Sequence, residues 1–152
     1  MIVFKSDDAS RLLELLDREF EAFGQMLEMT AKQTELIEAD DIETFDKSLD
    51  TRQKLIEKIN GLHQESTPLM QSYISYSNSA GGGAINRIED ARSRLGDIVS
   101  ECASRNDSLL AAAKEKAGTY TSRIDKLSMG RKSMGAYIQS VANTPEMFDK
   151  KM

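Results

Sequence analysis

Apolar residues recur at spacings of three and four along most of the chain, the period with which one face of an α-helix repeats. Behind Ser6, Asp7 and Asp8, which suit an N-cap and a first turn, come Leu12, Leu13, Leu15, Leu16, Phe20, Phe23, Met26 and Leu27. This predicts a helix running to about Ile37. A second stripe of Ile42, Phe45, Leu49, Arg52, Ile56, Ile59 and His63 keeps a heptad register, widened by Leu55 and Leu62. Neither Pro nor Gly interrupts residues 25–60, whereas the Asp40-Asp41 pair has poor helix propensity in an interior position. One long helix over about 8–62, straight or kinked, is favoured over two.

Gly61 and Ser66-Thr67-Pro68 close that element, and Pro68 suits the first turn of a short helix over 67–78 carrying Leu69, Met70, Tyr73, Ile74 and Tyr76. A Gly-rich loop follows at 79–83. From Ile85 the stripe resumes with Ile88, Leu95, Ile98, Val99, Cys102, Leu109, Leu110, Ala113, Tyr120, Ile124 and Leu127, predicting a helix over about 84–130 weakened only by Gly96 and Gly118. At 1.5 Å rise per residue such a helix is a rod of roughly 70 Å. A rod that long cannot bury its stripe alone and needs the first helical stretch as an antiparallel partner. The expected architecture is all-α: a long antiparallel helical hairpin or elongated helical bundle over 1–130, then an amphipathic tail over 131–152 expected to be mobile on its own.

Composition agrees with helix: there is no Trp, Pro occurs twice, and eight Met accompany many Leu, Ile and Ala. No apolar run approaches the roughly 20 residues needed to cross a bilayer, and Met-Ile-Val-Phe followed by Lys5, Asp7 and Asp8 is too short for a secretory h-region, so the expected compartment is the cytoplasm. The net charge of −5 disfavours nucleic acid as a partner. Its distribution is uneven. Residues 1–65 carry 16 acids against 8 bases, whereas 122–152 carry 6 bases against 3 acids, leaving an acidic first half and a mildly basic tail.

Little in the chain supports catalysis or a cofactor. A single Cys and a single His cannot supply the soft ligands of a zinc site. His63 as a phosphoryl acceptor would need neighbouring cations, but it sits beside Leu62 with Glu65 nearby. Cys102 as a nucleophile would need an electropositive setting, but its stripe neighbours are Leu95, Ile98, Val99 and Leu109. The acids Glu35, Glu38, Asp40, Asp41 and Glu43 lack the glycine-centred pattern of a calcium loop and read as a solvated face. Gly81-Gly82-Gly83 has no strand before it and no Lys-Ser or Lys-Thr after it, so it reads as a linker and not a phosphate loop. The chain reads as a non-enzyme with no cofactor and no metal.

The tail is the exception, because its apolar residues lie where no partner helix remains to cover them. Tyr120, Ile124, Leu127, Met129, Met134, Tyr137, Ile138, Val141, Met147 and Phe148 are the candidate partner-binding residues. Leu127, Met134, Ile138 and Val141, spaced 7, 4 and 3, form one face of an amphipathic helix that docking would order, and Met adapts to varied surfaces. The competing reading is a tail that folds back onto the hairpin.

Several stretches are similar to the FlgN-type flagellar type III export chaperones. They are Leu-Leu-Glu-Leu-Leu at 12–16, Ile37-Glu-Ala-Asp-Asp-Ile-Glu-Thr-Phe45 ahead of a charged helix with Arg52-Gln53, and Asn106 before Leu109-Leu110. More specific is the end, Gly130-Arg131-Lys132-Ser133-Met134-Gly135-Ala136-Tyr137, then a spacer and Phe148-Asp149-Lys150-Lys151. The resemblance implies a helical chaperone that holds secreted hook-filament junction proteins and prevents their premature assembly. It also implies client binding by the C-terminal segment and a tyrosine, by position Tyr137, in handover to the export gate. The alternative is a self-associating structural coiled coil, a homodimer or larger bundle without a client.

Overall fold

In a computed structural model of the protein, the described residues are 4–128, apart from 117, 119 and 122. Their long helices are α1 (Ser6–Glu38), α2 (Ile42–Asn78) and α3 (Asn86–Glu115). A shorter helical stretch, α4, follows within 118–128. α1 packs along both α2 and α3. Pairings fix the directions. Gln33 with Ser48, Glu19 with Ser66 and Phe4 with Tyr73 make α1 and α2 antiparallel, while Phe20 with Arg94 and Phe23 with Cys102 run α1 and α3 in parallel.

The region 8–62 is therefore two helices, not one. Asp40 adopts a left-handed φ of 56°, which a short polar side chain tolerates and which turns the chain back. The amide of Asp41 donates to Leu36 O (3.0 Å) and that of Asp40 to Ile37 O (3.1 Å), the paired closure that ends many helices. Asp41 Oδ1 then accepts from the Thr44 amide at 3.2 Å and caps α2. The two aspartates act as stop and start. At the other end of α1, helix begins at Ser6 with Lys5 as cap, and the Asp8 carboxylate accepts from the Lys5 amide at 3.1 Å.

The expected short helix over 67–78 is not separate, because α2 runs through Gly61 and Pro68 without a break. An interior proline costs about 3 kcal/mol. Burial on both sides of it holds the helix together: Ile59 before, Tyr73 after, and Ser66 donating to the buried Glu19 carboxylate at 2.6 Å. The helix expected over 84–130 is instead divided at Lys116, whose amide bonds Ala113 O at 3.1 Å, and the chain reverses there into α4.

The loop between α2 and α3 is pinned from within. Tyr73, fully buried, accepts the Ile85 amide at 3.0 Å and donates to Glu89 at 2.9 Å. Gly82 lies so close to Tyr76 that an added Cβ would fall 1.7 Å from its carbonyl oxygen, so this position in the triple glycine is sterically required.

The core falls into two apolar clusters. One, toward the loop, joins Leu12, Phe23, Met26, Leu55, Ile59, Tyr73, Ile88 and Cys102 among others. The other, toward the Asp40 turn, joins Ile37, Phe45, Leu49, Leu109, Leu110, Ala113, Tyr120 and Leu127. Between them lies a buried polar layer. Arg52 donates to Thr30 Oγ1 (3.0 Å), Gln33 Oε1 (2.9 Å) and Asn106 Oδ1, tying all three long helices together at one level.

Candidate partner-binding surface

α4 is positioned by Phe45 and Asp46 of α2 and by the C-terminal end of α1. Tyr120 meets Phe45 edge to face with ring centroids 5.3 Å apart. Arg123 grips the Asp46 carboxylate with two nitrogens, Nη2 at 2.7 Å from Oδ2 and Nε on Oδ1. This pairing holds the Asp46 carboxyl below its usual range and raises the Arg123 guanidinium. Ahead of them Lys116 Nζ bridges Ile37 O and Asp40 Oδ1, each at 2.8 Å, placing a cation on the carbonyl end of α1. Tyr120 at Phe45, Arg123 at Asp46 and Lys126 alongside Leu49–Ile56 make α4 parallel to α2 and antiparallel to α3.

Three of the residues expected to meet a partner are thus already engaged within the chain. Tyr120 and Leu127 are fully buried, and Ile124 packs partly buried against the same cluster. Burying Leu127 alone contributes about 1.5–3 kcal/mol. The Tyr120 hydroxyl is buried without a hydrogen-bond partner among the described residues, and burial, with the field of Asp40, raises its pKa. Met129, Met134, Tyr137, Ile138, Val141, Met147 and Phe148 lie outside the described residues.

Beside α4 a surface cleft of about 240 Å³ is lined by Leu49, Asp50, Arg52, Gln53, Ile56 and Lys126. Arg52 brings the polar layer to this cleft, and sequence reasoning did not assemble that layer. The sequence pattern puts Arg52 on the α2 stripe and leaves Thr30, Gln33 and Asn106 without a structural role, although their positions near Met26, Ile37 and Leu109 put them on buried faces.

The other candidate groups are placed plainly. His63 is half-buried, its Nδ1 4.0 Å from Glu19 Oε1, and desolvation lowers its pKa. Cys102 is buried, its thiol donating to Phe23 O at 3.3 Å, and burial pushes its pKa up to about 12. Glu35, Glu38, Asp40, Asp41 and Glu43 are exposed, and among the described residues no His, Cys, Asp and Glu group could hold a metal ion. No helix among the described residues is long and apolar enough to cross a membrane.

These features define a class: an all-α bundle of three long helices with a shorter fourth helix packed against them. The chain belongs to the FlgN family, a family of flagellar export chaperones, because the family described as "FlgN protein" matches residues 1–140. No curated protein and no solved structure matches it.

Proposed function

We propose that this protein is the export chaperone of secreted hook-filament junction proteins, acting in the cytoplasm and covering an amphipathic helix of the client until export. The observation that carries the reading is the reach of the family match. It extends to residue 140, beyond the bundle and through Met129, Met134, Tyr137 and Ile138. Burial of Tyr120, Ile124 and Leu127 supports a division of labour within the C-terminal segment. These three anchor it to the bundle, and client capture falls on Met129, Met134, Tyr137, Ile138, Val141, Met147 and Phe148. Three or four such anchors, at about 1.5–3 kcal/mol each before ordering costs, suffice for micromolar affinity or better.

Ile138→Asp with Val141→Asp tests this directly. Binding of the hook-filament junction proteins should weaken strongly while the thermal unfolding of the bundle stays unchanged. Unaltered affinity overturns the assignment of the capture surface. Tyr137→Ala should lose export while weakening client affinity less than the Ile138→Asp with Val141→Asp pair does, in keeping with a further role at the export gate. If instead the chain forms concentration-dependent oligomers that survive deletion of 129–152 and binds no client, the self-associating coiled coil is correct.

A further inference from the structure

Arg52 presents a charge problem that the bundle alone does not solve. Its side chain is 2% exposed, and its acceptors, Thr30, Gln33 and Asn106, are all neutral. Its Nε has no partner, and no carboxylate pairs with it among the described residues. A buried cation without a counter-charge is costly, because attraction to a neighbouring anion is what ordinarily offsets desolvation. Arg52 borders the cleft beside α4, whose rim carries Lys126, an exposed cation without an ion pair among the described residues. Leu49 and Ile56 give the cleft aliphatic walls, and Asp50 is its one acid among the described residues. Lys126 stands near the last described turn of α4, from which the chain continues in sequence into the segment assigned to client capture.

We propose that this cleft is a carboxylate subsite, taking an Asp or Glu side chain of the bound client helix between Arg52 and Lys126, with Leu49 and Ile56 covering the aliphatic residues beside it. The inference rests on the chaperone reading and adds a recognition rule. Apolar anchors supply affinity, and one acidic position sets the register of the client helix. An aliphatic wall around paired cations is suited to that chemistry, since a carboxylate leaving water needs charge and hydrogen bonds together. Asp50 opposes the anion and makes the subsite selective against loosely placed acids.

The test titrates the full chain with a hook-filament junction protein of the same cell at low ionic strength. Lys126→Glu should weaken binding about tenfold and Asp50→Asn should tighten it about threefold, as expected for charges at the rim of an interface. Arg52→Met combined with Asn106→Leu removes the cation together with the acceptor that would be stranded. It should keep the helical circular dichroism, weaken binding about tenfold, and abolish most of the Lys126→Glu effect. The side-chain Nε–H resonance of Arg52 should shift when client is added. Binding by the wild type with all three variants within about twofold of it, where charge pairs normally register, overturns the subsite and leaves the chaperone reading standing. Absence of binding by the wild type overturns both.

Discussion

Removing the Asn106 amide should cost more stability than removing the Arg52 cation together with it. Asn106→Ala takes away the acceptor of Arg52 Nη2 at a site where both residues are buried. A hydrogen bond to a charged group is worth about 1.5–3 kcal/mol, and the stranded guanidinium N–H adds desolvation, so the expected loss is about 3 kcal/mol. In Arg52→Met with Asn106→Leu the cation is gone and its desolvation with it. Thr30 remains satisfied because its hydroxyl donates to Met26 O at 2.8 Å, and Gln33 still donates to Ser48 at 2.9 Å. Only the Gln33 carbonyl loses a donor, at about 1–3 kcal/mol, offset by apolar side chains joining the two clusters. The double variant should therefore lie within about 1 kcal/mol of the wild type, as buried ionic groups replaced by apolar ones often do. Urea unfolding followed by circular dichroism at 222 nm, at a constant m-value, measures both. Loss of less than about 1 kcal/mol in Asn106→Ala, or a double variant as destabilised as the sum of its singles, would refute the view that an uncompensated charge governs this layer.

Other expectations follow from single contacts. Tyr120→Phe removes a buried hydroxyl that has no partner among the described residues and should leave stability unchanged or raise it by up to about 1 kcal/mol in the same urea assay. Gly82→Ala should destabilise by about 1–3 kcal/mol, because its Cβ would overlap the Tyr76 carbonyl, whereas Gly83→Ala, with open space around it, should not. Asp46→Ala should speed amide exchange in α4 selectively, because Arg123 then loses its bidentate partner. Burial depresses the His63 pKa, so the unfolded chain takes up a proton that the folded chain resists. Stability is then present above the unfolded value of 6.5 and falls as pH drops below it, and His63→Gln should flatten that dependence in thermal melts from pH 7.5 to 5.5.

Much of the bundle was legible because burial repeats with helical period. The residues read as stripes in the first and third stretches, Leu12 through Met26 and Ile88 through Ala113, are largely those that pack the core. The interruptions were less legible, since propensity is local and packing is not. Asp40-Asp41 reads as a mere weakness until the left-handed turn and its backbone closure are seen, and Pro68 reads as a helix start because nothing local reports Glu19 bonding Ser66 from another helix. Gly118 was a better signal than the stripe that ran past it: Tyr120, Ile124 and Leu127 continue the period of α3 but belong to a helix running the other way. The polar layer was hidden by treating a stripe as apolar. Arg52 and Asn106, which carry part of the family resemblance, are buried, and the partners of Arg52 lie 19 to 54 residues away in the chain, while Gln53 lines the cleft.

The central claim is client capture by the segment beyond the bundle. Its most direct test is calorimetric titration of hook-filament junction proteins from the same cell into the full chain and into a chain truncated after Leu127, which retains the buried anchors of α4. The account predicts micromolar or tighter binding by the full chain and loss of at least about a hundredfold in affinity on truncation, the share carried by two buried anchors. Equal binding by the truncated chain would contradict it, and would move the client site onto the bundle itself.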